Sequence, residues 1–123
     1  MSEIEYLAIP YSHKNLHVRE YRAYVADSIA AMLMKEGRII YSPISSWHHI
    51  SIRFGLATDW EACAKVDKEF IKIAKRLIVV CLPGWKESVG VQAEIKEAKE
   101  LGKPIEYIDP EAYQDFTFKW RAE

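Results

Sequence analysis

Short apolar runs alternate with longer amphipathic stretches along the chain. The apolar runs cover residues 4–9, 38–41, 77–82 and 103–108. The run at 77–82 has no polar alternation, which is typical of a strand covered on both faces of a parallel sheet. The amphipathic stretches repeat at helical spacing and cover residues 18–35, 59–75 and 89–101. This alternation predicts one α/β domain over residues 1–123, a doubly wound, flavodoxin- or Rossmann-like parallel sheet of four to five strands with flanking helices.

The segment 42–58 has no clear hydrophobic period, and we predict that it forms a loop that covers the site. It contains two adjacent histidines, His48 and His49. Adjacent residues point apart in a strand or a helix, and no cysteine or carboxylate lies at ligand spacing, so we predict no metal site. We expect His48 to hydrogen-bond a ligand instead.

Two carboxylates interrupt the apolar stripes of the predicted helices. Glu94 lies on the flank of its stripe, about one turn after the helix begins, where the helix dipole and free backbone N–H groups favour an ionised carboxylate. Asp67 falls inside the stripe of the preceding helix. In the structural alternatives, Glu94 stabilises the helix start and reaches solvent, and Asp67 caps a break or pairs with a basic group. If both point inward, they lie where the carboxyl ends of parallel strands form ligand sites.

Charge and composition narrow the classes of partner. Seventeen basic and eighteen acidic residues give a net charge of −1 without a long basic stripe, so we expect a small-molecule partner and no nucleic-acid polymer. The chain has no basic leader and no apolar segment near the length of a membrane span, which predicts a cytoplasmic protein without a membrane partner. Neither a GxGxxG nor a GxxxxGK[ST] motif is present, which argues against the common dinucleotide and P-loop modes of binding.

One stretch carries a family resemblance. It reads Ser88-Val89-Gly90-Val91-Gln92-Ala93-Glu94, followed by Ala98 and Leu101-Gly102-Lys103-Pro104-Ile105. These residues are similar to the S-x-G-x-x-x-E and A-x-x-x-G-K-P patterns of 2'-deoxynucleoside 5'-phosphate N-hydrolases. Residues 6–12 and 41–44, and Asp59-Trp60 with Asp67, look like further segments of small relatives of these enzymes. Over most of its length the chain therefore resembles the nucleoside 2-deoxyribosyltransferase-like superfamily.

The resemblance implies an enzyme that cleaves or transfers the N-glycosidic bond of a nucleoside or nucleoside 5'-monophosphate, without an organic cofactor. It assigns the nucleophile, which forms a covalent glycosyl intermediate, to Glu94, and assistance at the sugar and base to Asp67. Ser88 would help to hold a 5'-phosphate, although the Gly- and Arg-containing first loop of the hydrolases is replaced here by residues 10–14. The candidate substrate-binding residues are Tyr6, Pro10, Tyr11, His48, Trp60, Ser88 and Gly90. The alternative function is a non-catalytic nucleotide-binding module that uses the same cleft.

Large aromatic residues outside the predicted strands suggest self-association. They are Trp47, Trp60, Trp85, Tyr113, Phe116, Phe118 and Trp120. A 123-residue domain cannot easily bury so many alone, and aromatic residues are enriched at association surfaces. Small members of the superfamily commonly complete their sites with a neighbouring subunit. We therefore expect a homodimer or a higher homo-oligomer.

Overall fold

The structure, a computed structural model, describes residues 2–113 and confirms the predicted α/β architecture. Its elements are, in chain order, β1 (Ile4–Ala8), α1 (Leu16–Lys35), β2 (Ile39–Tyr41), α2 (Pro43–Phe54), α3 (Trp60–Ile73), β3 (Arg76–Val80), α4 (Val89–Glu100), β4 (Ile105–Ile108) and a 3-10 turn (Pro110–Tyr113). Within the described residues the four strands form one parallel sheet in the order β2-β1-β3-β4. The strand order therefore reverses between β1 and β3.

Each face of the sheet has its own apolar core. Period-2 alternation along β1 sends Leu7 to one face, where it packs with Ile29 of α1 and Ile78 of β3. The same alternation sends Tyr6 to the other face, into a core built with α3 and α4. Because both faces are covered, β3 is apolar after Arg76, as the run at 77–82 predicted.

The segment 42–58 contains a helix, so the prediction of a loop was wrong. Pro43 occupies the first helical turn, and Gly55 ends the helix in the left-handed region at φ 70°. Only Pro43 and His48 are buried in α2, whereas Ile50 and Phe54 are exposed. Half of the 12 residues of α2 are proline, serine or histidine, which are weak helix formers, and this explains the error.

Ion pairs join the amino ends of the strands. Glu5 at the start of β1 is 2% exposed and accepts hydrogen bonds from Arg38 at 2.6 and 3.1 Å and from Arg76 at 3.0 Å. These bonds, with that of Arg38 first in effect, lower the pKa of the Glu5 carboxyl below its ordinary value. These ion pairs lie at the amino ends of the strands, whereas ligands of doubly wound sheets bind at the opposite, carboxyl ends.

The longest helix described is α1, with 20 residues. Its sequence contains the charged residues Arg19, Glu20, Arg22 and Asp27, none of which is buried. None of the helices in residues 2–113 combines the length and apolarity that a bilayer crossing requires.

Candidate active site

A cavity of about 650 Å³ opens at the carboxyl edge of the sheet. Its wall contains Leu7 and Ile9 at the end of β1 and the start of α4, which follows β3. The cavity therefore lies where the strand order reverses, which is the position at which doubly wound sheets bind ligands. The first turns of α2 and α3 complete the wall.

Glu94 reaches this cavity from the second turn of α4. Ser88 caps the helix, because its Oγ accepts a hydrogen bond from the backbone N–H of Val91 at 3.2 Å. Glu94 is 6% exposed, so the prediction that it faces inward is confirmed. Its Oε2 accepts a hydrogen bond of 2.5 Å from the hydroxyl of Tyr6, which lies 88 positions earlier in the chain.

Asp67 faces the same cavity from α3. Asp59 caps this helix by accepting a hydrogen bond of 2.9 Å from the backbone N–H of Ala62. Asp67 is also 6% exposed, and its Oδ1 has no hydrogen-bond partner among residues 2–113. The helix continues through Asp67, and no ion pair to it is found in the part described, so neither structural alternative accounts for it. An unpaired buried acceptor is costly, which makes a ligand donor its natural partner.

Burial controls the protonation of both carboxyls. It raises the pKa of Glu94 to about 8, against the opposing hydrogen bond from Tyr6 and with an added effect of the Asp67 charge. Burial also raises the pKa of Asp67 to about 6. We expected an ionised Glu94 at the helix N-terminus, but burial outweighs the dipole, and the pair holds one proton near pH 7. The pKa of Tyr6 is raised well above its ordinary value, first by burial, so its hydroxyl remains a donor.

A second hydrogen-bonded pair lies beside the cavity. The Tyr11 hydroxyl and Nδ1 of His48 are 2.6 Å apart, and both residues are 5% exposed. Burial, followed in effect by His49, lowers the pKa of His48, and a neutral imidazole can accept a hydrogen bond from the Tyr11 hydroxyl at Nδ1. Tyr11 lines the cavity and His48 does not, so the structure does not place His48 where we expected it to bond a ligand directly.

The other predicted site residues fall into two groups. Trp60, Ser88 and Gly90 line the cavity together with the residues described above. Pro10 is buried outside the wall, and Tyr6 contacts the site through Glu94. A Cβ added to Gly90 would approach only the Ser88 Oγ, at 4.0 Å, so the protein itself leaves room for a ligand at this helix start.

One further reactive group lines the cavity. Cys63 of α3 is buried, and burial raises the pKa of its thiol to about 11, so the thiol stays neutral. Across the described part of the chain, no three histidine, cysteine, aspartate or glutamate side chains are grouped to hold a metal ion.

Residues 3–109 match a protein family described as a domain of unknown function, DUF1937. The chain belongs to the DUF1937 family. The match covers all four strands and all four α-helices, and hence the whole cavity wall. A comparison with curated proteins finds no match to the chain.

Sequence reasoning missed several wall residues of this DUF1937 chain. Trp47 lies on the wall with Pro43 and Ile44, and the spacing of these three would have placed them on one face had α2 been recognised as a helix. The acidic residues Asp59, Glu61 and Glu87 also lie on the wall. The sequence does not indicate that these three residues line a cavity, because carboxylates at helix starts are also common on solvent-facing surfaces.

Proposed function

We propose that this protein cleaves or transfers the N-glycosidic bond of a nucleoside or nucleotide through a covalent glycosyl-Glu94 intermediate. The observation that carries the proposal is the pair of buried carboxyls, Glu94 and Asp67, on the wall of one cavity. Glycoside chemistry commonly uses two carboxyl groups, one as nucleophile and one as acid. The resemblance described above assigns the same two residues.

The proton that burial retains on Glu94 supports the first half of the reaction. Moving it from Glu94 to Asp67 creates a carboxylate nucleophile and a general acid at once. The Glu94 oxygen bonds to the anomeric carbon, the bond from that carbon to the base breaks, and the base leaves with the electron pair and the proton of Asp67. The Tyr6 hydroxyl donates a hydrogen bond to Glu94 and stabilises its carboxylate form before the attack.

The second half reverses these roles. Ionised Asp67 accepts a proton from water, whose oxygen attacks the anomeric carbon and releases the Glu94 carboxylate. If a second base takes the place of water, the same step is a transfer. The carboxylates also stabilise the positive charge that develops on the sugar as the bond breaks.

The cavity wall combines two kinds of side chain. Tyr11, Trp47 and Trp60 provide aromatic surface, against which a planar base can stack. Asp67 and Glu94 provide carboxyl groups on the same wall. This combination suits a ligand that joins an aromatic ring to a hydroxyl-rich sugar.

A screen for released base tests the function. Nucleosides and nucleoside 5'-monophosphates are incubated at pH 7, where the carboxyl pair holds one proton, with and without an acceptor base. We expect release of free base from at least one compound, with exchange when the acceptor is present if the enzyme is a transferase. Saturable binding without release by any compound would instead favour the non-catalytic nucleotide-binding module.

We also propose that the protein forms a homodimer that covers exposed apolar residues of α2 and α4. Phe54 is 71% exposed, Ile50 lies one turn earlier on α2, and Val89 on the cavity wall is 75% exposed. Light scattering at micromolar concentration is expected to give twice the 14.3 kDa of one chain. A monomer mass would contradict this. The tail aromatics Phe116, Phe118 and Trp120, and the side chain of Tyr113, lie outside the described structure.

A further inference from the structure

The described part of the cavity wall is acidic and has no basic side chain. Its ionisable carboxyl groups are Asp59, Glu61, Asp67, Glu87 and Glu94. Within residues 2–113 the wall contains no lysine, arginine or histidine, and no ion pair involves any of these five residues. A ligand that brings further negative charge into this cavity meets repulsion without a compensating cation.

The helix starts at the cavity do not offset this charge. The positive end of a helix dipole favours an anion, but the start of α3 already has Asp59 as its cap and Glu61 in its first turn. The start of α4 has Glu87 just before its cap and Glu94 in its second turn. The protein's own carboxylates therefore occupy the surroundings in which a phosphate would otherwise be favoured.

Asp67 gives a second, independent indication. Its Oδ1 is buried and has no hydrogen-bond partner in the described part of the chain, and the residue lies on the cavity wall. A carboxylate oxygen accepts hydrogen bonds, so the group that satisfies it must be a donor such as a hydroxyl, an amine or a cation. A phosphate dianion has only acceptor oxygens and cannot take this role.

We propose that the cavity takes an unphosphorylated nucleoside and favours one whose aromatic base carries a positive charge. This inference rests on the proposed function and narrows its substrate class. Trp47 and Trp60 on the wall add a further attraction, because the face of an indole ring attracts cations. A cationic base is also a good leaving group, since it departs as a neutral molecule without the proton of Asp67, which is released to solvent before Asp67 acts as the base in the second half.

The basic side chains on this side of the protein lie elsewhere. Arg19 and His13 line a neighbouring groove, which shares Ser12, Thr58 and Asp59 with the cavity. Arg22 is not on the cavity wall, and its Nη1 donates to the carbonyl oxygen of Ser12 at 3.1 Å. A 5'-phosphate that reached the groove would lie near Arg19, and the experiment below detects this outcome as tight binding of monophosphates.

The charge preference is first measured with one ring in three charge states. The probes are 1-methylnicotinamide (cation), nicotinamide (neutral) and nicotinate (anion), titrated at pH 7 with tryptophan fluorescence and calorimetry as readouts. We expect the cation to bind most tightly, about tenfold more tightly than the neutral ring, and the anion most weakly. Tightest binding of nicotinate, or no binding of the cation at millimolar concentration, would overturn the proposal.

The phosphate is then tested on whole nucleosides. Nicotinamide riboside is compared with its 5'-monophosphate, and adenosine with adenosine 5'-monophosphate, for binding and for release of the base. Each nucleoside is expected to bind at least about fivefold more tightly than its monophosphate. This ratio of affinities is expected to be smaller at high salt, which screens the repulsion. Equal or tighter binding of the monophosphates overturns the charge inference and leaves the proposed function standing. Absence of base release from every compound, with the order of charge preference retained, refutes the proposed function alone.

Variants locate the effect on the wall. The double variant Glu61→Gln with Glu87→Gln keeps the size of both side chains and removes two wall charges. We expect the ratio of cation to anion affinity to fall about threefold or more. The matched control is Glu69→Gln with Glu100→Gln, which removes two exposed charges from α3 and α4, away from the cavity wall. An equal fall in the control would mean that only net charge matters, and the proposed role of the wall would be wrong.

Discussion

Glu94→Gln is expected to reduce base release by about 10³-fold or more while nucleoside binding is retained. The amide has nearly the shape of the carboxyl, and its oxygen can still accept the hydrogen bond from Tyr6, so the cavity keeps its form. It lacks the negative charge needed to attack the anomeric carbon and to stabilise the positive sugar. Chromatographic measurement of released base, with calorimetric titration of the same nucleoside, checks both parts.

The control for this variant comes from the solvent side of the same helix. Glu97 is half-buried and its Oε1 lies 4.0 Å from Lys68 Nζ, and Glu100 is exposed; neither lines the cavity. Glu97→Gln and Glu100→Gln are expected to release base at nearly the normal rate. Near-normal turnover in Glu94→Gln would rule out the nucleophile, whereas loss of binding together with turnover would point to a structural role.

The elements with unambiguous patterns were predicted closely. β3 (Arg76–Val80) begins one residue before the predicted run at 77–82 and ends two residues before its end, and α4 (Val89–Glu100) begins at the predicted residue. Both predictions succeed because the pattern is local. A strand buried on both faces is a continuous apolar run, and a helix buried on one face repeats its apolar residues at helical spacing. In α2 half of the residues are proline, serine or histidine, so local propensity did not indicate the helix that the segment forms.

The candidate site was predictable only in part. Glu94 and Asp67 stood out because a charge inside an apolar stripe contradicts the pattern of an ordinary surface helix. The contact of Glu94 with Tyr6 depends on the sheet register and on the packing of α4, which no local pattern contains. The direction of the Glu94 pKa was also missed, since burial is a property of the assembled cavity, whereas the helix dipole is visible in the sequence.

The second large effect is on stability, because a buried carboxyl with a raised pKa makes the folded state weaker as pH rises. The pKa of Glu94 is about 8 in the folded protein and near its ordinary value of 4.5 in the unfolded chain. Between these values the folded state binds a proton that the unfolded state does not, so the free energy of unfolding falls with increasing pH. At about 1.4 kcal/mol per pKa unit, the loss attributable to Glu94 by pH 9 is up to about 5 kcal/mol. Asp67, with a pKa of about 6 in the folded protein, adds a loss in the same direction at lower pH.

Glu94→Gln removes this titration, so the variant is expected to unfold at higher denaturant concentration than the wild type at pH 9 and at nearly the same concentration at pH 5. Urea unfolding followed by circular dichroism at pH 5, 7 and 9 gives the free energy at each pH. Glu100→Gln, with an exposed carboxyl on the same helix, is expected to follow the wild type throughout. Parallel pH profiles for wild type and Glu94→Gln would mean that the Glu94 carboxyl is not buried as described. A gain in alkaline stability together with the loss of base release would instead identify Glu94 as a group retained for chemistry at the expense of the fold.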